Sequence, residues 1–134
     1  MNTQEKLQQV LDGLLASVPD IRGAVLASRD GLLIASTFAT GEGSRVAAMA
    51  ATVEALGDRV TELAELGELA ETAIQSDVGT FVVYSAGSLA TLALVARGGA
   101  NLGLVHIEGR RVAATVEALF DAAATTTPRE AAHA

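Results

Sequence analysis

The spacing of apolar residues along the chain predicts three helices. In the first, apolar side chains recur every three or four residues from Leu7 to Val18. Pro19 marks its end, because the residue before a proline resists helical geometry. Asn2 and Glu5 have the spacing of a capping box at its start. We therefore predict a helix that begins after Asn2 and ends before Pro19.

The central helix, predicted from Ser44 to Leu66, is unusual because two of its faces avoid charge. A glycine-containing loop at 39–43 precedes it, and Gly67 supplies a stop. One face is a broad apolar stripe of the kind that covers a core, made of Val46, Met49, Ala50, Val53, Leu56, Gly57, Val60, Leu63 and Ala64. The other is a ridge of small residues, namely Ser44, Ala48, Ala51 and Ala55. Alanine is the best helix former, so the ridge fits a plain surface and a protein interface equally well.

Apolar runs bounded by turn residues predict five strands, at residues 22–28, 32–37, 69–76, 80–86 and 90–96. Arg29-Asp30-Gly31 joins the first two, and Asp-Gly provides the positive φ angles of a tight hairpin. The last three are separated by gaps so short that only antiparallel neighbours are allowed. The fourth and fifth strands are apolar on both faces, which predicts helices on both sides of the sheet.

The third helix is predicted after Asn101, which can cap it. The order is then helix, two strands, helix, three strands, helix, with neither an internal repeat nor a second domain. We predict one domain at 1–124 and a disordered tail at 125–134, where no periodicity remains. A chain of 134 residues is large enough to form one core.

Composition narrows the class of protein. Half of the residues are hydrophobic, but the aromatic ones number only four, so the core must be aliphatic. With no cysteine, disulfide scaffolds and thiolate zinc sites are excluded. The N-terminus is polar and no apolar run reaches the ~18 residues of a membrane span, so we expect a cytoplasmic protein without membrane insertion.

Charge is concentrated in the middle of the chain. The formal net charge is −7, and eight acidic residues against two arginines give residues 42–77 a charge of −6. Such a segment repels phosphate backbones, so we do not expect nucleic acid as a partner. Glu54, Asp58 and Glu65 are predicted to form an exposed acidic row beside the alanine ridge. The row is either solvated surface or a docking site for a basic partner.

Candidate chemistry is sparse. The two histidines, His106 and His133, are too far apart in the predicted elements to share a metal ion. The segment 41–45 precedes a helix and contains two glycines, but it lacks the lysine and spacing of a phosphate-binding loop. The serines lie outside any nucleophile-elbow pattern. We therefore predict no catalytic residue, no cofactor and no metal, and a protein that is not an enzyme.

Two blocks of sequence carry a resemblance to a known family. The first is the hairpin at 22–36, Arg-Gly-Ala-Val-Leu-Ala-Ser-Arg-Asp-Gly-Leu-Leu-Ile-Ala-Ser. The second runs from Ala93-Leu94-Val95 through Gly98-Gly99-Ala100 into Asn101-Leu102-Gly103-Leu104-Val105. In this order and spacing they resemble the roadblock / dynein light-chain family, in its bacterial branch, over about residues 7–119.

The resemblance implies a three-layer α/β/α fold of the α+β class, related to profilin, with a five-stranded antiparallel sheet. It also implies a homodimer in which second helices pair and third strands join two sheets, which would place Ala48, Ala51, Ala55, Thr72 and Ile74 in the interface. Family members act as non-enzymatic platforms for small Ras-like GTPases or as light chains of motor complexes. The expected function is therefore a dimeric regulator or scaffold for such a GTPase, with Glu54, Asp58 and Glu65 as candidate contacts. The alternative is a purely structural dimeric adaptor.

Overall fold

The computed structural model describes residues 1–125, and its helices and strands follow the predicted order. They are α1 (Thr3–Ser17), β1 (Ile21–Ser28), β2 (Leu33–Ser36), α2 (Thr40–Leu63), β3 (Glu71–Ser76), β4 (Gly79–Ala86), β5 (Ala90–Arg97) and α3 (Leu102–Thr125). Of the predicted tail at 125–134, Thr125 is the last residue of α3, and the rest lies outside the described residues.

All five strands form one antiparallel sheet in the order β2-β1-β5-β4-β3. One row of paired residues crosses its whole width, from Ser36 through Val25, Ala93 and Val83 to Thr72. Because side chains alternate between faces, these five point to the same side. β2 and β3 are therefore the two edges of the sheet, and the edge position of the third strand that the family resemblance implies is confirmed.

The sheet separates two hydrophobic cores, as the apolar character of β4 and β5 predicted. Between the sheet and the pair α1 and α3 lies the larger core, which includes Leu7, Leu11, Leu26, Leu92 and Val116. On the other face α2 packs through a small, alanine-rich core. The three-layer α/β/α fold is thus confirmed, with α2 alone on its side.

The first helix begins and ends as the sequence indicates. Glu5 donates its backbone N–H to Asn2 Oδ1 at 2.8 Å, and Asn2 N–H reaches Glu5 Oε1 at 3.4 Å, which completes the capping box. The helix stops at Ser17, and Val18 donates its N–H back to Leu14 O.

Asp20 joins the start of β1 to the end of β5 and the start of α3. Its carboxylate accepts hydrogen bonds from the Asn101 backbone N–H at 3.0 Å and from Arg97 Nη2 at 2.9 Å, and these lower the pKa of Asp20. Asn101 in turn caps α3 by accepting the N–H of Leu104.

The lowered pKa of Asp20 predicts an acid-dependent contribution to stability. A carboxyl group with a lower pKa in the folded state stabilises the fold above its unfolded pKa, and the contribution is lost as the pH falls through the folded value. We expect Asp20→Asn to lower the melting temperature at neutral pH and to flatten the loss of stability between about pH 4 and the lower folded pKa. Melting curves at a series of pH values test this, and parallel curves for the two proteins would contradict it.

The glycine-containing segment before α2 was predicted as a loop, and this is wrong. The helix begins at Thr40, so 41–43 form its first turn, and Ala39 provides no side-chain cap. Gly43 faces β2 so closely that an added Cβ would lie 2.6 Å from Ser36 Oγ. The glycine serves close packing, since its missing side chain lets the helix start directly on the sheet. The helix also ends earlier than predicted, at Leu63.

Candidate functional site

The outward face of α2 is the largest departure from the predicted pattern. The buried residues of the helix are Gly43, Val46, Ala47, Ala50 and Glu54. Four large residues assigned to its core stripe are instead exposed, namely Met49 (53%), Leu56 (64%), Val60 (50%) and Leu63 (71%). That part of the prediction is wrong, because apolar residues cover more of the helix than one sheet face can bury. A monomer therefore presents an apolar helical surface to solvent.

These exposed residues follow a regular repeat. Residues at alternating spacings of four and three run along the outer side of α2, and all are exposed: Arg45, Met49, Thr52, Leu56, Arg59 and Leu63. This is the a/d spacing by which one helix pairs lengthwise with another. We call these six residues the α2 seam. It lies opposite Ala47 and Glu54, which are buried.

The alanine ridge lies beside the seam. Ala48 and Ala55 are exposed, and their small side chains leave room for another backbone. Ala51 is only partly exposed. It lies beside the β1–β2 hairpin, where a Cβ added to Gly31 would be 3.6 Å from Ala51 Cβ and 3.5 Å from Ala48 Cα. The structure thus leaves two of the three predicted interface alanines exposed beside the seam, and the third partly buried on the side of the hairpin.

The edge strand β3 continues the same surface. Thr72 and Ile74 both point to the α2 side of the sheet, and Ile74 is 52% exposed. Thr72 Oγ1 is buried without a hydrogen bond to any group of residues 1–125. It lies against Gly57, where an added Cβ would approach Thr72 Oγ1 to 2.6 Å, so this glycine lets α2 and β3 come together.

An open groove of about 470 Å³ runs between α2 and β3. Its lining is almost entirely apolar and comprises Ala48, Met49, Thr52, Val53, Ile74 and Phe81. Within the described chain, β3 pairs with β4 alone. The outer backbone groups of an edge strand can pair with another strand. The seam, the groove and this edge therefore form one continuous surface. It can bind a partner through apolar side chains and through backbone hydrogen bonds.

The predicted acidic row is divided by the structure. Glu54 was expected on an open helix face, and this is wrong, because its side chain is only 2% exposed. It accepts a hydrogen bond from Thr91, which is fully buried, and forms an ion pair with Arg29 Nη2 at 3.1 Å. Asp58 is 52% exposed and lies 3.5 Å from Arg29, and Glu65 is exposed beyond the end of α2.

Arg29 was not singled out from the sequence, yet it connects three parts of the fold. From the β1–β2 turn, its guanidinium donates to Ser85 Oγ and to Gly87 O, both at 2.7 Å, and it also reaches Glu54 and Asp58 on α2. A carboxylate as deeply buried as that of Glu54 must be paired, and Arg29 supplies the opposite charge. The missed signal was spacing, since Glu54 stands four residues after Ala50 on the core face.

Asp58 remains part of an acidic cleft at the C-terminal end of α2. This cleft of about 460 Å³ is lined by Asp58, Thr61, Glu62, Gly67, Glu68, Leu69 and Ser85. Three of these residues are acidic and two carry hydroxyl groups. The cleft lies at the end of the α2 seam, so a partner seated on the helix would face negative charge here.

A polar cluster links β3 to α3 on the other side of the sheet. Glu71 pairs with Arg110 at 2.6 Å, and the Tyr84 hydroxyl lies 2.8 Å from His106 Nδ1. Burial, reinforced by the Glu71 carboxylate, raises the pKa of Tyr84 well above its usual range. An added Cβ at Gly109 would lie 2.6 Å from the Tyr84 ring, so the cluster is tightly packed. His106 thus makes a structural contact at the boundary of the core.

Two groups of features are not found in residues 1–125. No three or more His, Cys, Asp or Glu side chains there are arranged to hold a metal ion. In the same part of the chain, none of the helices is both long and apolar enough to cross a membrane.

Comparison with known proteins gives one family. The model of the Roadblock/LC7 domain matches residues 7–96. No protein among the curated sequences matches the chain significantly.

Solved structures of the same kind are similar over most of the chain. A Roadblock/LC7 domain from Streptomyces avermitilis has 24% identity and a TM-score of 0.80, covering 84% of this chain and 96% of its own. MglB in a tetrameric arrangement has 27% identity and a TM-score of 0.80, covering 92% and 93%. The gliding protein MglB from Thermus thermophilus has 24% identity and a TM-score of 0.78, covering 89% and 91%. The chain belongs to the Roadblock/LC7 domain family.

Proposed function

We propose that this protein is a non-enzymatic homodimeric regulator or scaffold, and that its partner is a small Ras-like GTPase. One observation carries the proposal, namely the continuous surface formed by the α2 seam, the apolar groove and the outer edge of β3, which pairs with no strand of residues 1–125. Membership of the Roadblock/LC7 family supports a regulatory or adaptor role.

A second copy of the chain fits this surface in two ways at once. Antiparallel pairing of two α2 helices about a centre near Thr52 and Leu56 would bring each seam against the other, with Ala48 and Ala55 allowing close approach. Pairing of β3 with the partner's β3 would satisfy the outer backbone groups of both edges and continue the sheet. The paired helices would then cover Ile74 and Phe81, which line the groove on the α2 side of the sheet.

The GTPase is proposed as partner on the family relationship and on charge. Two paired α2 helices would present two acidic clefts, each containing Asp58, Glu62 and Glu68, on one face of the dimer. Such a surface attracts a basic patch on a partner and sets its orientation. Binding that orders the switch loops of a GTPase changes its activity without a catalytic residue from the regulator.

Charge reversal tests the partner proposal. We expect Asp58→Lys/Glu68→Lys, which reverses two charges of the acidic cleft, to bind a small Ras-like GTPase from the same organism more weakly, mainly through slower association, and to lose the salt dependence of binding. The matched control is Glu117→Lys/Asp121→Lys, which makes the same charge change at exposed positions on α3. Biolayer interferometry with GTP- and GDP-loaded protein gives both rates. Equal effects of the two double variants would show that net charge, and not the acidic cleft, controls binding.

The second candidate function is a purely structural dimeric adaptor in a larger assembly. It shares the same dimer surface and differs only in lacking a GTPase partner. Nucleotide-independent capture of other proteins, with no binding to any GTP-loaded small GTPase of the organism, would favour it.

A further inference from the structure

The two edge strands of the sheet, β2 and β3, differ in whether other residues donate hydrogen bonds to their outer backbone. β3 presents its outer backbone to solvent, and no side chain of residues 1–125 donates to it. β2 is also an edge, but α1 lies beside it and makes two hydrogen bonds to its main chain. Gln4 Nε2 donates to Ile34 O, and Gln8 Nε2 donates to Ser36 O at 2.8 Å.

The carbonyl groups that receive these bonds are those that point away from the sheet. Thr37 N–H donates to Ala24 O at 3.0 Å, so Thr37 turns its backbone toward β1. Neighbouring residues of an antiparallel strand alternate between inward and outward hydrogen bonding. Ser36, the next residue along, therefore directs its carbonyl outward. Ile34 has no partner on β1, because the register of the pair shifts between Leu26 and Ala27, and its carbonyl accepts from Gln4.

The spacing of residues four apart on a helix is close to the spacing of residues two apart on a strand. Residues four apart on a helix are separated by about 6 Å along its axis. Residues two apart on a strand are separated by roughly 6.5 Å. Gln4 and Gln8 on α1 can thus reach the carbonyls of Ile34 and Ser36 in register. Asp12, one turn further, accepts the second N–H of Gln8 at 3.2 Å and holds its amide in place.

We propose that β2 is a second strand-pairing surface for another copy of this chain, and that Gln4 and Gln8 keep it closed. An incoming strand would need the two carbonyls that the glutamine side chains occupy. With β2 closed and β3 open, sheet extension ends after one pairing, which gives a closed dimer. The inference rests on the proposed pairing through β3. Opening the β2 edge would let dimers join into longer sheets.

Replacement of both glutamines by methionine tests the closure. Methionine keeps the length and apolar contacts of the side chain but lacks the amide N–H. We expect Gln4→Met/Gln8→Met to form species larger than the wild-type assembly, with association at least about tenfold stronger. Gln9→Met is the matched control, since Gln9 is exposed on the same helix and makes neither contact. Sedimentation velocity over a range of concentrations measures the distribution, and identical distributions for all three proteins would overturn the proposal.

Hydrogen exchange locates the new contact. In the larger species we expect slow exchange at the outward backbone amide of Ser36, and slow exchange confined to segments other than β2 would overturn the proposal. If the double variant fails to fold, the single variants Gln4→Met and Gln8→Met are measured in the same way. The same measurements test pairing through β3 separately. If the wild-type protein is a monomer and the double variant is a dimer, pairing through β3 is contradicted, but closure of β2 by the two glutamines is still supported.

Discussion

Replacing Arg29 by methionine is expected to lower the free energy of unfolding by about 3 kcal/mol, because it leaves the buried Glu54 carboxylate without its counterion. Removing one partner of a buried ion pair typically costs about 3–5 kcal/mol. The lower end applies because the Arg29 side chain is 35% exposed, so solvent partly screens the pair. Urea unfolding followed by circular dichroism measures the change.

A second arginine variant, which removes the same charge from a more exposed ion pair, distinguishes the effect of burial from the effect of charge alone. Arg111 pairs with Glu108 at 2.8 Å on α3, outside the α2 seam, and the Arg111 side chain is 57% exposed. Arg111→Met is therefore expected to change the free energy of unfolding by only about 0–1 kcal/mol. Equal losses for the two arginine variants would contradict the assignment of Glu54 to a buried ion pair.

The double variant Arg29→Met/Glu54→Leu gives a further check. If the cost of Arg29→Met comes from an unpaired buried carboxylate, then removing that carboxylate should recover most of the lost stability. Thr91 would lose its hydrogen-bond acceptor, so the recovery should fall short of wild type by about 1 kcal/mol. A double variant less stable than Arg29→Met would show that the two residues do not act as a pair.

Introducing a charge at the centre of the α2 seam is expected to abolish dimerisation. Leu56 is 64% exposed in the monomer and would be covered by the partner helix. In Leu56→Glu a carboxylate replaces the leucine twice per dimer. A loss of about 2 kcal/mol at each position, about 4 kcal/mol in all, weakens association on the order of 1,000-fold. Sedimentation equilibrium measures the dissociation constant.

The control for this variant is Leu104→Glu, which places the same charge on α3, at a position that is 40% exposed. It lies on the opposite side of the sheet and should leave the dissociation constant unchanged. Far-UV circular dichroism of both variants should match wild type, because neither side chain is part of a core. A dimer that survives Leu56→Glu would show that the seam does not form the interface.

The order of the elements could be predicted from the sequence because it depends on local pattern, whereas the edge position of β3 was implied only by the family resemblance. Asn2 and Glu5 define a cap within four residues, and the Asp30-Gly31 turn defines a hairpin. The gaps between the last three strands are so short that consecutive strands could pair only in antiparallel orientation. Local rules of this kind need no knowledge of distant residues.

The direction in which α2 faces could not be predicted, because its apolar residues cover more than half of the helix. A helical wheel cannot distinguish Met49 and Leu56, which are exposed, from Val46, which is buried, when all lie on one wide arc. Glu54 was misplaced for a related reason. Its burial depends on Arg29, a residue on a turn far away in the sequence, and only the folded chain brings the two charges together.

The most direct test of the homodimer is the hydrogen exchange of β3 as a function of protein concentration. At concentrations above the dissociation constant, the alternate amides of 71–76 that do not pair with β4 should exchange slowly, and dilution should make them fast. The amides of β5, which pair on both sides within one chain, should stay slow throughout. Fast exchange of the outer β3 amides at every concentration would contradict pairing through this edge.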